Sequence, residues 1–279
     1  MLDVNNKLYV FHDDDSSFVD FSSKALDYSR DTFSVALVSN DDRFYVGFTK
    51  PINAFYVELS TANTSDNTFT AEFYNGSSWT ALVGFFDDTL GWNRSGFMRW
   101  NRNQTSEAAT EVNSQSAFWY RFTPSADHDA ETVLKGLNIV YSDDQDLKKE
   151  LYEYADFLPS GESSHILTHV AARDEIIQSL RSDGRYKQDL STGDLKNITA
   201  FDLLDISQVK VASTYLVLAK IFMAASDNID DIYMEKSKMF RSLYNGAMKT
   251  MYISLDGDND GILDDEERLD DNAPKLVRR

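Results

Sequence analysis

The sequence predicts an α+β chain: an antiparallel β-sandwich of jelly-roll type over residues 1–142, a helical bundle over 143–255, and a loop-and-tail segment over 256–279. Three observations lead there. Apolar residues alternate with period two through the first half, as half-buried strands require. From about residue 142 the period becomes helical. Turn residues, with no helical interludes, separate the strand-like runs, which favours antiparallel sheets over βαβ units.

Five runs carry the period-two pattern: Phe44/Val46/Phe48, Phe55/Val57/Leu59, Phe69/Ala71/Phe73, Phe118/Tyr120/Phe122 and Leu137/Ile139/Tyr141. Asn75-Gly76 separates two of them and supplies the positive φ of a tight turn. Gly91, Gly96 and the Ser/Asn/Asp clusters serve as further turn residues. Beyond them, Ser142 and Gln145 fit a capping box. Leu147, Leu151, Tyr154 and Leu158 then fall on one helix face, which Pro159 and Gly161 end. Ile166, Val170, Ile177 and Leu180 stripe a second helix, stopped at Asp183-Gly184. After a polar stretch over 184–198, a short helix runs into a long one ending at Ala225. Val211, Ala212, Tyr215, Leu216, Ala219, Phe222 and Met223 make it apolar nearly all round, so it belongs at the centre of the bundle. Ile232, Met239, Phe240, Leu243, Ala247 and Met251 form the last amphipathic stripe.

The balance of 27 basic and 46 acidic residues gives a net charge of −19 over 279 residues. Such a chain repels phosphate backbones and anionic lipid, which argues against tight nucleic-acid binding along its surface. Without cysteine there are no disulfides, thiolate metal sites or thiol nucleophiles. No secretory signal is expected from the N-terminal residues, and no run approaches 18 consecutive apolar residues, so no membrane span is expected. Phosphate-binding glycine loops, dinucleotide fingerprints and Gly-x-Ser-x-Gly are missing, and no carboxylate pair stands out. The expectation is a non-enzyme.

Residues 256–267 carry the strongest chemical motif. Asp256, Asp258, Asp260, Asp264 and Glu267 fall at positions 1, 3, 5, 9 and 12 of a Ca²⁺-binding loop, and the Ile262 carbonyl at position 7. Gly261 allows the sharp turn and Leu263 is the apolar anchor. Hard oxygen ligands at this spacing suit Ca²⁺, which here would be structural, offsetting the repulsion of crowded carboxylates. The competing reading is a solvated acidic tail.

His165 and His169, spaced i, i+4, read as helix-surface histidines, because further zinc ligands are missing. His12 reads as part of a polar cluster near the chain start and His128 as a loop residue. Trp79, Trp92, Trp100 and Trp119 read as core residues, with stacking on sugar rings as the alternative. Residues Lys275, Leu276, Val277, Arg278 and Arg279 form a basic tail that suits a docking peptide.

Tyr45-Val46-Gly47-Phe48, Phe55-Tyr56-Val57-Glu58-Leu59, the stretch 73–82, the stretch 88–96 and Phe118-Trp119-Tyr120-Arg121-Phe122 together resemble a jelly-roll module of tailed-bacteriophage virion proteins, over about residues 40–142. The segments 207–222 and 230–251 resemble the head-to-tail adaptor (connector) proteins that form a ring under the phage portal. The large β-domain and the Ca²⁺-type loop depart from the simplest adaptors. The resemblance implies a virion structural protein in the neck, made in the host cytoplasm. It implies a ring of identical copies, twelve in number, contacting the portal and the tail terminator or other neck proteins, with genomic DNA passing through without tight binding. Lys275 to Arg279 would then reach into the portal. A collar or tail component whose β-domain binds a host-surface glycan is the alternative.

Overall fold

The period-two half folds into two facing antiparallel sheets, and helices cover one of them. The structure is a computed structural model describing residues 7–14, 17–25, 31–38, 41–101, 106–129, 132–182, 198–203, 205–228, 231–251 and 253–255. The strands are β1 (Leu8–Asp14), β2 (Ser17–Asp20), β3 (Phe33–Ser34), β4 (Arg43–Phe48), β5 (Ala54–Thr61), β6 (Phe69–Tyr74), β7 (Trp79–Ala81), β8 (Phe86–Asp87), β9 (Gly96–Arg99), β10 (Ala109–Val112), β11 (Gln115–Pro124) and β12 (Val133–Asn138). One sheet has seven strands in the order β2-β1-β4-β11-β6-β7, with β10 also paired to β11; the other has five, in the order β3-β12-β5-β9-β8. The chain crosses back and forth between them, so each sheet combines pairs of consecutive strands with pairings between sequence-distant ones.

Alternation sets what lies between the sheets. Val10, Phe44, Val46, Phe48, Phe73, Tyr120 and Phe122 of the larger sheet face Phe55, Val57, Met98, Leu134 and Leu137 of the smaller. Each such side chain, fully buried, stabilises the fold by ~1.5–3 kcal/mol relative to exposure. Trp92 and Trp100 belong to this core. Trp92 follows Leu90 and Gly91, and all three have positive φ (54°, 69° and 66°). Of the three only Gly91 adopts this freely; a Cβ there would lie 2.3 Å from the Asn67 carbonyl oxygen.

The helices are α1 (Asp144–Glu150), α2 (Ile166–Ser182), α3 (Lys210–Ala225) and α4 (Ile232–Thr250), with 3₁₀ turns at Tyr154–Phe157 and Ile206–Val209. α3 packs against both α2 and α4. Leu216, Val217, Leu218 and Phe222 of α3, Ile176 and Leu180 of α2, and Phe240 and Tyr244 of α4 build the second core. Ile166 and Val170 of α2 also close over Tyr56 and Phe97 on the outer face of the five-stranded sheet. Further ties are a Lys50–Asp202 ion pair, Phe201 against Phe48 at 5.6 Å, and the buried Arg173, whose Nη1 donates to the Ile139 carbonyl at 2.8 Å.

Several expectations change. The capping box lies one residue later: Asp143 caps α1 and pairs reciprocally with Asp146, because a carboxylate offers two acceptor oxygens where Ser142 offers one hydroxyl, and that hydroxyl is engaged elsewhere. The first helix stops at Glu150, so Leu151 to Leu158 do not continue its stripe. The last β-run ends at Asn138, and Ile139 to Tyr141 lead into the helices. α3 is not buried all round: Val211 and Met223 are exposed. Ile206–Ala225 is long and apolar enough to cross a membrane by length and composition, the one such helix among the described residues; it also forms much of the second core. β1 carried no period-two signal, because Leu8 and Val10 face the core while Tyr9 and Phe11 face another apolar cluster on the opposite side.

Candidate functional site

Three constellations carry chemistry, and their strands and helices explain each. The first sits where the β-half meets the helices. Ser142 Oγ lies 2.9 Å from His169 Nδ1 and 2.8 Å from Ser213 Oγ, and His169 Nε2 lies 3.2 Å from Asp144 Oδ1. Asp144 also accepts the His165 amide, and His165 Nε2 meets the Tyr154 carbonyl at 3.1 Å. These are the residue types of a nucleophilic triad, but Ser142, His169 and Ser213 are all 0% exposed. Buried in this way, the arrangement joins the segment after β12 to α1, α2 and α3 as a polar network. His165 and His169 are therefore not surface histidines: one precedes α2, the other lies in its first turn, and both are buried. Burial keeps the His165 imidazole below its ordinary pKa, against the opposing pull of the Tyr154 carbonyl and Asp144.

His12 and His128 are buried as well. His12 Nε2 meets Asp42 Oδ2 at 3.2 Å. His128 sits in a loop, as expected, but its ring lies between Phe69 and Trp92 with both nitrogens unpartnered among the described residues. Burial lowers its pKa to about 4, outweighing nearby Asp129.

The second constellation is the outer face of the seven-stranded sheet. Register places one row of side chains across six strands: Asp20, Phe11, Tyr45, Arg121, Glu72 and Ala81. Beside it run Tyr9, Gly47 and Trp119 on one side and Phe18, Asp13 and Arg43 on the other. Trp79 and Tyr74 pair at the β6–β7 end. The rings form a continuous chain, with Phe11 stacked on Trp119 at 5.2 Å, Phe18 edge-on to Tyr45 at 5.8 Å, and Trp79 edge-on to Tyr45 at 5.6 Å and Tyr74 at 5.8 Å. Trp119 can lie over β4 only because position 47 is glycine: a Cβ there would come within 2.6 Å of the indole. Trp119 Nε1 donates to the Thr110 carbonyl at 3.1 Å. Arg121 is held from two sides, its guanidinium 4.4 Å from the Trp79 ring centre and its Nε 2.6 Å from Glu72 Oε2. Burial raises the Tyr45 pKa, partly countered by a hydrogen bond from Arg121.

This face divides the tryptophans. Trp92, Trp100 and Trp119 are buried, in keeping with core residues, whereas Trp79 is half-buried. The sequence reading missed Tyr9, Phe11, Phe18, Tyr45 and Arg121 as one group. Its signal was the outward position in β1 and β4, occupied by aromatic residues where a solvated face would be polar.

The third constellation is the outward side of α4. Ile232, Met239 and Leu243 are exposed at 62%, 50% and 43%, while Phe240 and Tyr244 turn inward. Lys236, Lys238, Arg241 and Lys249 against Glu235 alone make this helix basic on a chain of charge −19.

Among the described residues no group of three or more His, Cys, Asp or Glu could hold a metal ion. Asp87 and Asp129 are instead engaged by loop groups, Asp87 by the amides of Thr89 and Gly91 and Asp129 by the Thr64 amide. The expected Ca²⁺ ligands Asp256, Asp258, Asp260, Ile262, Asp264 and Glu267, and the tail Lys275 to Arg279, lie outside the described residues.

No protein-family model matches the chain, and no curated protein matches it. Solved structures similar to it include chitosan-binding modules 1 and 2 of a chitosanase/glucanase from Paenibacillus sp. IK-5, the second in complex with chitotriose. They are 12% and 11% identical to it, with TM-scores of 0.27 and 0.28. Each alignment covers 46% of this chain, and 91% and 92% of the respective module. At those TM-scores nothing about this chain rests on the likeness.

Proposed function

We propose that the chain is a non-enzymatic structural protein of a tailed-phage virion: a ring-forming head-to-tail adaptor between portal and tail, with residues 1–142, 143–255 and 256–279 as its three parts. The observation that carries this reading is the outward side of α4, where Ile232, Met239 and Leu243 are exposed among lysines and an arginine. Three large apolar residues along one helix face suit a protein contact better than water. A basic, apolar helix on an acidic molecule also suits the flank of the next identical copy. Such a head-to-tail contact closes into a ring when its rotation divides the circle. A ring of copies each carrying −19 repels the duplex passing through it, so the genome slides without sticking.

In this reading Ca²⁺ at 256–267 offsets repulsion between acidic subunits, and Lys275 to Arg279 engage the portal. Negative-stain imaging of the purified protein tests the proposal. Closed rings, dispersed by the paired change Met239→Glu and Leu243→Glu without loss of helical signal, are the expected result. A lone dispersed copy, or rings untouched by that change, would overturn the α4 contact. Deleting 275–279 should weaken portal association and leave the fold intact.

A further inference from the structure

We infer that the outer face of the seven-stranded sheet is a binding platform for an oligosaccharide bearing free amino groups. The inference stands apart from ring assembly, because it uses the sheet face turned away from the helices: α2 covers the five-stranded sheet, through Ile166 and Val170 on Tyr56 and Phe97.

A ring platform comes first. Phe18, Tyr9, Tyr74 and Trp79 are half-buried at the margins of the face, above the buried Phe11, Tyr45 and Trp119. The C–H faces of pyranose rings stack on such side chains, and the rigid sheet beneath fixes the spacing of the aromatic groups before any ligand arrives. Half-burial leaves each of the four margin rings a surface for contact while its other surfaces stay packed, so little side-chain entropy is lost on binding.

Polar groups interleave with the rings. Arg121 and Glu72 satisfy each other at 2.6 Å beside Trp79. Asp13 is different. It is 9% exposed, it stands on this face in register with Phe18 and Arg43, and its Oδ1 is buried without a hydrogen-bond partner among the described residues. Arg43, its cross-strand neighbour, instead directs Nη1 to the Asp41 carbonyl at 3.4 Å. A buried carboxylate oxygen left without a donor costs free energy in the unliganded protein, and that cost is recovered when a ligand supplies the donor.

Charge then selects among saccharides. Asp13 and Asp20 stand at one end of the platform, on a molecule of net charge −19. Arg121 is paired with Glu72, and Asp13 and Asp20 outnumber Arg43 at this end, so the local charge and the long-range field both disfavour uronic or sulfated sugars and favour an ammonium group. An amino sugar combines the two properties the face asks for, a C–H surface for the rings and a charged N–H donor for Asp13.

The test is calorimetric titration of the full chain with a glucosamine hexamer, cellohexaose, a galacturonic acid hexamer and a lysine hexapeptide, at an ionic strength of about 0.15 M, where the Debye length is ~8 Å and bulk attraction is screened. Expected is saturable binding of the glucosamine hexamer, at least tenfold tighter than of the other three. Trp79→Ala and Asp13→Asn should each weaken it about tenfold or more, with unchanged circular dichroism and melting; Asp13→Asn keeps the side-chain shape if Trp79→Ala proves unstable. No binding of the glucosamine hexamer, equal binding of cellohexaose or of the lysine peptide, or affinities unmoved by Asp13→Asn would each overturn the inference.

Discussion

Gly47 and Trp119 show how one residue sets another. The indole lies where a Cβ at position 47 would sit 2.6 Å away, so Gly47→Ala must displace a ring that is 1% exposed and hydrogen-bonded to the Thr110 carbonyl. Overpacking of this kind costs about 1–3 kcal/mol, and we expect Gly47→Ala to lower the unfolding free energy by that amount, read as a lower denaturant midpoint at unchanged slope. His128 makes a second prediction. The unfolded chain takes a proton there near pH 6.5, the folded chain only near pH 4. Between these values the unfolded state binds more protons, so stability falls as the pH falls through that window. The loss attributable to this ring is about 3 kcal/mol. His128→Phe keeps a ring between Phe69 and Trp92 and should flatten the stability profile between pH 6.5 and 4. An unaltered profile would show that another group titrates; His165, also held low by burial, has the same sign.

At the scale of elements, buried polar groups add to the apolar cluster of Tyr56, Phe97, Val140, Ile166 and Val170 where the sheet meets the helices. Arg173, in α2, is 1% exposed, donates to the Ile139 carbonyl, and pairs with Asp174 at 2.7 Å. Arg173→Met keeps most of the volume but strips the donor from that carbonyl and one ion-pair partner from Asp174. Removing one member of such a set costs ~3 kcal/mol. Thermal unfolding followed by near-ultraviolet dichroism would measure it, and a change below 1 kcal/mol, within the range of an ordinary surface substitution, would show that the helices are held by other contacts. Asp143 illustrates the competition at a cap: burial raises its carboxyl pKa, with Asp146 adding to the rise, yet it still accepts the Asp146 amide at 3.1 Å. On α2, α3 and α4 the ion pairs of Glu175 with Lys220 and Arg241 tie three helices through one carboxylate, and they hold the Glu175 pKa low against the upward push of burial.

At the scale of the whole molecule, a net charge of −19 and a basic helix α4 are what the proposed ring contact and the proposed Ca²⁺ loop would act on. For Ca²⁺, the paired change Asp256→Ala and Glu267→Ala should lower the melting temperature only when Ca²⁺ is present. Identical calorimetric curves of the unmodified protein with Ca²⁺ and with a chelator would refute the site. The test bears on stability whatever the chain assembles into, because an ion bound by the folded state alone stabilises it by mass action.

Much of the architecture was legible in local periodicity. Phe69, Ala71 and Phe73 announce a strand and Ile166, Val170, Ile177 and Leu180 a helix, because alternation and the 3.6-residue repeat are properties of short stretches of backbone. The change from β to α near residue 142 follows from the same reading, whereas the core positions of Trp92 and Trp100 are expected only from the usual burial of large aromatic residues. What only the tertiary structure decided was which distant residues share a surface. Phe11, Tyr45 and Arg121 become neighbours through strand order and register, which depend on pairings between segments dozens of residues apart. Ser142 meets His169 and Ser213 for the same reason, and the two histidines read as exposed are buried because another layer closes over their helix. Local sequence determines the period of each element; non-local packing determines which face of it meets water.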